Sequence, residues 1–228
     1  MTNKLNLIIA ILLILALQAR GQVNRDPDLP PTATEARHSS QDPEIFLRDK
    51  IKYPLEALKS GVEGDVILTF IINRMGKVEN LTVSGQMNTL LTNSSLQAFD
   101  ALDDEWIPAT QNDSHIDKQY QIIIRYRMYY ESLPPDYKAK AVKFEEKQKY
   151  DKALKLYDKA ILENNYDYEL FEGRSRVREK LGDKVGAEID LEASIELSNE
   201  IMAFVDVIAV QKTAIKTIET KKEVIIRN

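Results

Sequence analysis

The chain has 228 residues, 43% of them apolar, with 31 basic and 36 acidic side chains and a formal charge of −5. That length holds one large domain or two small ones, and the apolar share supplies a packed core and argues against wholesale disorder. The mild negative charge disfavours nucleic acid and anionic membrane surfaces as partners. The absence of cysteine excludes disulfides, thiolate metal sites, cysteine nucleophiles and a lipid-modified N-terminal cysteine.

Lys4 precedes an unbroken apolar run, Leu7 to Leu17, and the small residues Ala19 and Gly21 stand three and one positions before Gln22. This layout predicts a secretory signal peptide over residues 1–21, and with it a periplasmic location. As a helix the apolar run rises roughly 16 Å, against about 30 Å of bilayer hydrocarbon, so it is short for a membrane span. The competing reading is an uncleaved inner-membrane anchor. Cleavage removes Lys4 and Arg20 but no acidic residue, which takes the net charge to −7. Residues 22–42, with Pro27, Pro30 and Pro31 among Asp, Thr and Ser, read as a linker of at most about 70 Å.

A globular segment is predicted over residues 43–131. Asp42-Pro43-Glu44 signals a helix start, by a capping carboxylate, a proline at the first helical position and an acid in the first turn. Pro54 ends that helix, and a short one from Leu55 to Lys59 stops at Gly61. Asp65–Asn73 alternates as a strand, with Val66, Leu68, Phe70 and Ile72 on one face. Arg74-Met75-Gly76 forms the turn and Lys77–Ser84 the return strand. Leu90–Leu102 has helical spacing, and Gln119–Tyr130 alternates again, with Tyr120, Ile122, Ile124, Tyr126 and Met128 inward and Gln121, Arg125 and Arg127 outward. The expected class is α+β, an α/β sandwich with a small antiparallel sheet.

Pro134-Pro135 marks the next boundary, and residues 135–228 turn to Lys, Glu, Ala and Leu. Tyr150–Ile161 (YDKALKLYDKAI) recurs 34 residues later as Lys184–Ile195 (KVGAEIDLEASI). Ala153 maps to Ala187, Tyr157 to Leu191, Ala160 to Ser194 and Ile161 to Ile195; upstream, Tyr137 maps to Phe171 and Ala141 to Ser175. Small residues recur where helices approach closely, large ones where they fill the gap. Gly182-Asp183 stops one helix and starts the next. This period and pattern resemble the tetratricopeptide repeat, an all-α stack of helical hairpins, over about two repeats from Pro135 to Ser198. Continuing the register places Val205 and Ala209 inward and predicts a terminal capping helix from Glu200 to about Ile218, with a strand only at Val224–Ile226.

Residues 44–130 resemble the TonB C-terminal domain family through Tyr53-Pro54, Ala57, Gly61, Gly64, Val66, Phe70, Gly76, Val78 and the later Trp106-Pro108-Ala109. Gly61, Gly64 and Gly76 suit positive φ, Trp106 is expected to cover the sheet edge, and Pro108 to stop the helix before it. The resemblance implies a scaffold that binds peptide segments of outer-membrane transporters by adding them as a strand to an exposed sheet edge. The expected edge is the last strand, with Gln121, Ile123, Arg125 and Arg127 flanking the peptide. The bland alternative for the two arginines is a solvated face that deters aggregation. Energy-transducing members carry a Ser/His-bearing anchor helix and a long Pro-rich spacer; residues 1–22 contain neither Ser nor His, and the linker is brief.

The concave face of the repeats is expected to draw on Lys138, Val142, Glu145, Glu172, Arg176 and Glu179, a mixed-charge groove. His38 and His115 read as exposed residues, Asp103-Asp104-Glu105 as a charged helix end, and the triplets at Asn80, Asn93 and Asn112 as chance glycosylation motifs. No nucleophile-base order, metal-ligand spacing or phosphate loop can be assembled, so no cofactor and no enzyme are expected. The sequence therefore predicts an exported adaptor for protein or peptide partners. Its alternatives are a membrane-anchored transducer and an envelope scaffold whose sheet edge is covered by its own chain. Whether two copies pair as a homodimer through their sheet edges stays open.

Overall fold

The computed structural model describes residues 33–85, 88–102 and 105–211. Helix α1 (Pro43–Lys50) starts where Asp42 accepts the backbone N–H groups of Glu44 and Ile45, with Pro43 in the first turn. It ends at Ile51, where the chain turns extended ahead of Pro54; α2 (Leu55–Lys59) then closes at Ser60 and Gly61. Strand β3 (Gly64–Ile72) and strand β4 (Val78–Gly85) form the hairpin, joined through Asn73, whose side chain accepts the N–H groups of Met75 and Lys77. Gly76 sits at φ 75° in that turn, and a Cβ there would lie 2.2 Å from the carbonyl oxygen of Trp106, so no other residue fits without a shift. Helix α3 (Thr89–Asp100) is capped by Asn88 and turns Leu91, Ser95, Ala98 and Phe99 inward. The long strand β8 (Lys118–Tyr130) pairs antiparallel with β3 across nine residue pairs.

Two small sheets flank this core. β1 (Ala33–Thr34) pairs with β6 (Thr110–Gln111), which pairs with β7 (Ser114–His115); β2 (Arg37–His38) pairs with β5 (Trp106–Ile107). Residues 33–34 and 37–38, expected to belong to the linker, instead form strands, because their backbone finds ladder partners. His38, expected exposed, is buried edge-on against Trp106 at 5.0 Å between ring centroids. Trp106 lies over Phe70 in the core rather than at a sheet edge, and Pro108 follows β5, well after the helix it was expected to stop.

After β8 come two helical hairpins: α4 (Tyr137–Glu146) with α5 (Tyr150–Glu163), and α6 (Tyr168–Lys180) with α7 (Lys184–Glu200). Asp136, Asp167 and Asp183 cap three of the four N-termini. Ala141, Ala153, Tyr157, Ala160, Leu170 and Val177 form a second core. Tyr157 fills the space left by Gly173, where a Cβ would come within 2.5 Å of the ring.

The expected capping helix from Glu200 to Ile218 is corrected by the structure. The chain leaves α7 as strand β9 (Ile201–Gln211), which lies parallel to β8 and completes a sheet of order β4-β3-β8-β9. The sheet is therefore mixed and not wholly antiparallel. Ala203, Val205 and Val207 enter the sheet core beside Leu47, Ile51, Ile122 and Ile124, so β9 gains apolar burial and a ladder together. The signal-peptide stretch, the acids at 103 and 104, the continuation past Gln211 and the strand at 224–226 lie outside the described residues. Among the described residues no helix is long and apolar enough to cross a membrane.

Candidate functional site

The expected peptide edge is the side of β8 away from β3. Its period-2 alternation holds, but both faces of its middle are buried, Ile123 as completely as Ile122 and Ile124. The reason is β9: Gln121 registers with Ile201, Ile123 with Phe204, Arg125 with Asp206 and Arg127 with Ile208. The four expected contact residues do lie along one edge, and that edge is occupied by the chain itself.

Arg125 shows what the occupation involves. The residue is 7% exposed, and its Nε and Nη2 donate to the two carboxylate oxygens of Asp206 at 2.6 and 2.8 Å. Its Nη1 donates to the carbonyl of Glu163 at the end of α5, and its guanidinium lies 5.0 Å from the Phe204 ring centroid. The solvated arginine of the bland reading is thus a buried junction of β8, β9 and α5. Arg127 instead reaches Asp65 of β3 at 2.7 Å. Tyr129, Lys138 and Ile208 share with Arg125 and Asp206 a cleft of about 380 Å³ between sheet and hairpins. Its cations are already paired: the Lys138 ammonium donates to Asp167 at 2.7 Å and to Glu169 at 2.5 Å. Burial works against the Lys138 charge, but those two carboxylates outweigh it and hold its pKa above the usual lysine range.

The groove residues of the hairpins divide. Val142, Glu145, Arg176 and Glu179 line one open groove of about 550 Å³ with Glu146, Gln148, Tyr150 and Lys180. Lys138 belongs to the other cleft. Glu172 pairs with Arg176 at 3.1 Å. Arg176 also donates to Glu145 at 3.0 Å, and the Tyr157 hydroxyl donates to the same carboxylate at 2.7 Å. Burial, and then this Glu145 hydrogen bond, push the Tyr157 pKa up. The groove therefore presents Glu145 and Arg176 already paired, with Val142 as an exposed apolar spot.

Sequence reasoning missed the ionic cluster of the second hairpin. Asp190, 1% exposed, accepts from Arg174 at 2.7 and 2.9 Å and from Arg178 at 2.9 Å, and Arg174 also reaches Asp158 at 2.9 Å. The available signal was an acid at an inward helical position with two arginines one turn apart opposite it. The partner of Arg125 was missed because Asp206 was assigned to a helix. Among the described residues no group of three or more His, Asp or Glu side chains is placed to hold a metal ion.

Residues 49–128 match the family model of the Gram-negative bacterial TonB protein C-terminal. The match begins in α1 and ends within β8, so it takes in β3, β4, α3 and most of the paired length of β8 and leaves out the hairpins and β9. Among solved structures, the NMR solution structure of the Helicobacter pylori TonB C-terminal domain is similar at 23% identity, over 35% of this chain and 85% of that one, with a TM-score of 0.27. No curated protein matches the chain. Residues 49–128 thus form a TonB C-terminal-like segment carrying a helical extension that returns to its sheet.

Proposed function

We propose that this chain is an exported protein-binding adaptor of the cell envelope, not an enzyme, and is linked to outer-membrane transport. Its TonB-like domain, residues 43–131, takes an extended partner segment by strand addition. The observation that carries this reading is the match of residues 49–128 to the TonB C-terminal model. The proposed contacts on β8 are Gln121, Ile123, Arg125 and Arg127. A partner segment on that edge takes the place of β9, and an acidic residue opposite Arg125 does what Asp206 does there. The hairpins, proposed as tetratricopeptide repeats of a domain over residues 135–228, present the groove of Val142, Glu145, Arg176 and Glu179 to a second partner, with Glu172 held against Arg176 and Lys138 in the other cleft.

The test is calorimetric titration of the intact chain with synthetic peptides copied from the periplasmic N-terminal segments of outer-membrane transporters of the same cells. Saturable binding at one site per chain supports the adaptor. Absence of binding by any of them, to a chain that is folded by circular dichroism, sinks it. One observation favours a second reading, an envelope scaffold that takes no transporter segment: the β8 edge is filled by the chain's own β9, whose Ala203, Val205 and Val207 are buried.

A further inference from the structure

The two edges of the main sheet differ. β4 is blunted: its register with β3 shifts between Thr69 and Ile71, Asn80 sits at φ 55°, and Glu79, Asn80, Thr82 and Ser84 make the strand polar. β9, the other edge, is eleven residues long and carries one charge, Asp206, and no proline, glycine or lysine. Among the described residues no strand lies beyond it.

Which of its backbone groups face outward follows from two hydrogen bonds. The N–H of Phe204 donates to the Glu44 carboxylate on α1, not to β8, at 3.4 Å. The carbonyl of Gln211 accepts from the N–H of Glu131, just past β8. Backbone direction alternates along a strand. Odd positions therefore face β8, and Asp206, Ile208 and Val210 turn their N–H and C=O groups outward, beyond the stretch that α1 attends. Ile208 and Val210 are 46% and 40% exposed.

We infer that this edge, from Asp206 to Val210, pairs antiparallel with the same edge of a second copy of the chain. A two-fold axis at Ile208 sets Ile208 opposite Ile208 and Asp206 opposite Val210, so every outward residue meets an outward residue. No like charges face each other, and the single charge of the edge is already held by Arg125 at 2.6 and 2.8 Å. A β-branched, self-complementary edge whose one charge is already paired recognises its own copy, and the pairing joins two sheets through a strand outside the TonB-like segment. The inference does not rest on the partner-peptide reading, and the two compete: a partner segment that takes the place of β9 on β8 removes this edge from the sheet.

The chain contains no cysteine, so Ile208→Cys introduces a single thiol. Across a hydrogen-bonded antiparallel pair the two Cα atoms stand about 5.5 Å apart, within disulfide range. Sedimentation velocity of the intact chain is expected to show a dimer at micromolar concentration. Under mild oxidation Ile208→Cys is expected to form a covalent dimer far faster than Glu188→Cys on α7. Ile208→Pro removes an outward N–H and leaves the odd-position bonds to β8, so it is expected to give a monomer with an unchanged melting temperature. Should proline lower the melting temperature, Ile208→Lys tests the same edge by charge. A chain that stays monomeric, because residues 212–228 or another protein take the edge or because nothing does, overturns the inference. So does a dimer that survives both Ile208→Pro and Ile208→Lys, or equal cross-linking rates at positions 208 and 188.

Discussion

Arg125 joins three elements through one side chain. It is charged, almost fully buried, and bonded to β9 and to the end of α5 at once. Removing one member of a buried pair leaves the other charge uncompensated, which costs more than the pair contributes when intact. Arg125→Ala is therefore expected to lower stability by about 3 kcal/mol, read as a shift in the urea midpoint. Asp206→Asn keeps one acceptor oxygen but sets an amide N–H against the guanidinium and leaves the Arg125 charge unpaired, so it should cost nearly as much; a loss near zero would mean that the charge is irrelevant. Gly76 is a second sensitive position. Gly76→Ala combines a left-handed φ with a Cβ 2.2 Å from the Trp106 carbonyl, and should cost roughly 1–3 kcal/mol in the same assay. Ordinary stability at Gly76→Ala would show that the turn relaxes freely. Tyrosines set the alkaline limit. Burial first, and then the nearby Glu63 carboxylate, push Tyr53 up to about 12, and burial raises Tyr120, Tyr126 and Tyr157 as well. A folded pKa above the unfolded value of about 10 means that folding favours the neutral phenol. That stability is complete below pH 10 and lost as pH rises from 10 through 12. Urea midpoints measured from pH 8 to 12 should hold level and then fall above 10, and a flat profile would contradict the burial of these hydroxyls.

β9 is the element on which the reading of the sequence and the structure part. The run Ile201–Val210 can be drawn with Val205 and Ala209 four apart on a helix, or with Ala203, Val205, Val207 and Ala209 alternating on a strand. Short apolar runs carry both patterns, and the repeat register tilted the choice toward a helix. The composition, half Val and Ile, suits a pleated surface better. What decides is the partner: the unpaired side of β8 offers a ladder and an apolar floor, whereas α7 offers a capping helix only a side-chain contact. Full burial of one valine side chain contributes about 1.5–3 kcal/mol, and β9 buries Val205 and Val207 with the smaller Ala203 in the core cluster, besides its hydrogen bonds. That sum is of the order of a whole domain's stability, about 5–15 kcal/mol. Ending the chain after Glu200 should therefore abolish cooperative folding, seen as loss of the near-ultraviolet circular dichroism signal. A truncated chain that melts cooperatively near the original temperature would show that β9 is an accessory, and would favour its easy replacement by a partner strand.

The return of β9 changes the molecule from two modules in series to one interlocked body. The sheet cannot open along β8 without losing β9, and β9 is tethered directly to α7. The described residues accordingly all fall within one unit. Scanning calorimetry should show one transition for sheet and hairpins, with calorimetric and van't Hoff enthalpies equal. Two separated peaks would restore the picture of independent modules. The helix caps, the alternation of β3 and β8, the Asn73–Gly76 turn and the small residues between hairpins could all be read in the chain, because each is set by neighbours within a few residues or by a repeat that prints itself twice. The occupied edge, the burial of His38 beneath Trp106 and the Arg125–Asp206 pair could not. Those partners stand 68 and 81 positions apart. Nothing local distinguishes a solvated arginine from one that will meet its acid across a sheet. Local stereochemistry and periodicity sufficed for the helices up to Glu200 and for the long strands β3, β4 and β8; the identity of β9 as a strand, and with it which edge of β8 is filled, followed from the packing competition among those elements once all of them were present.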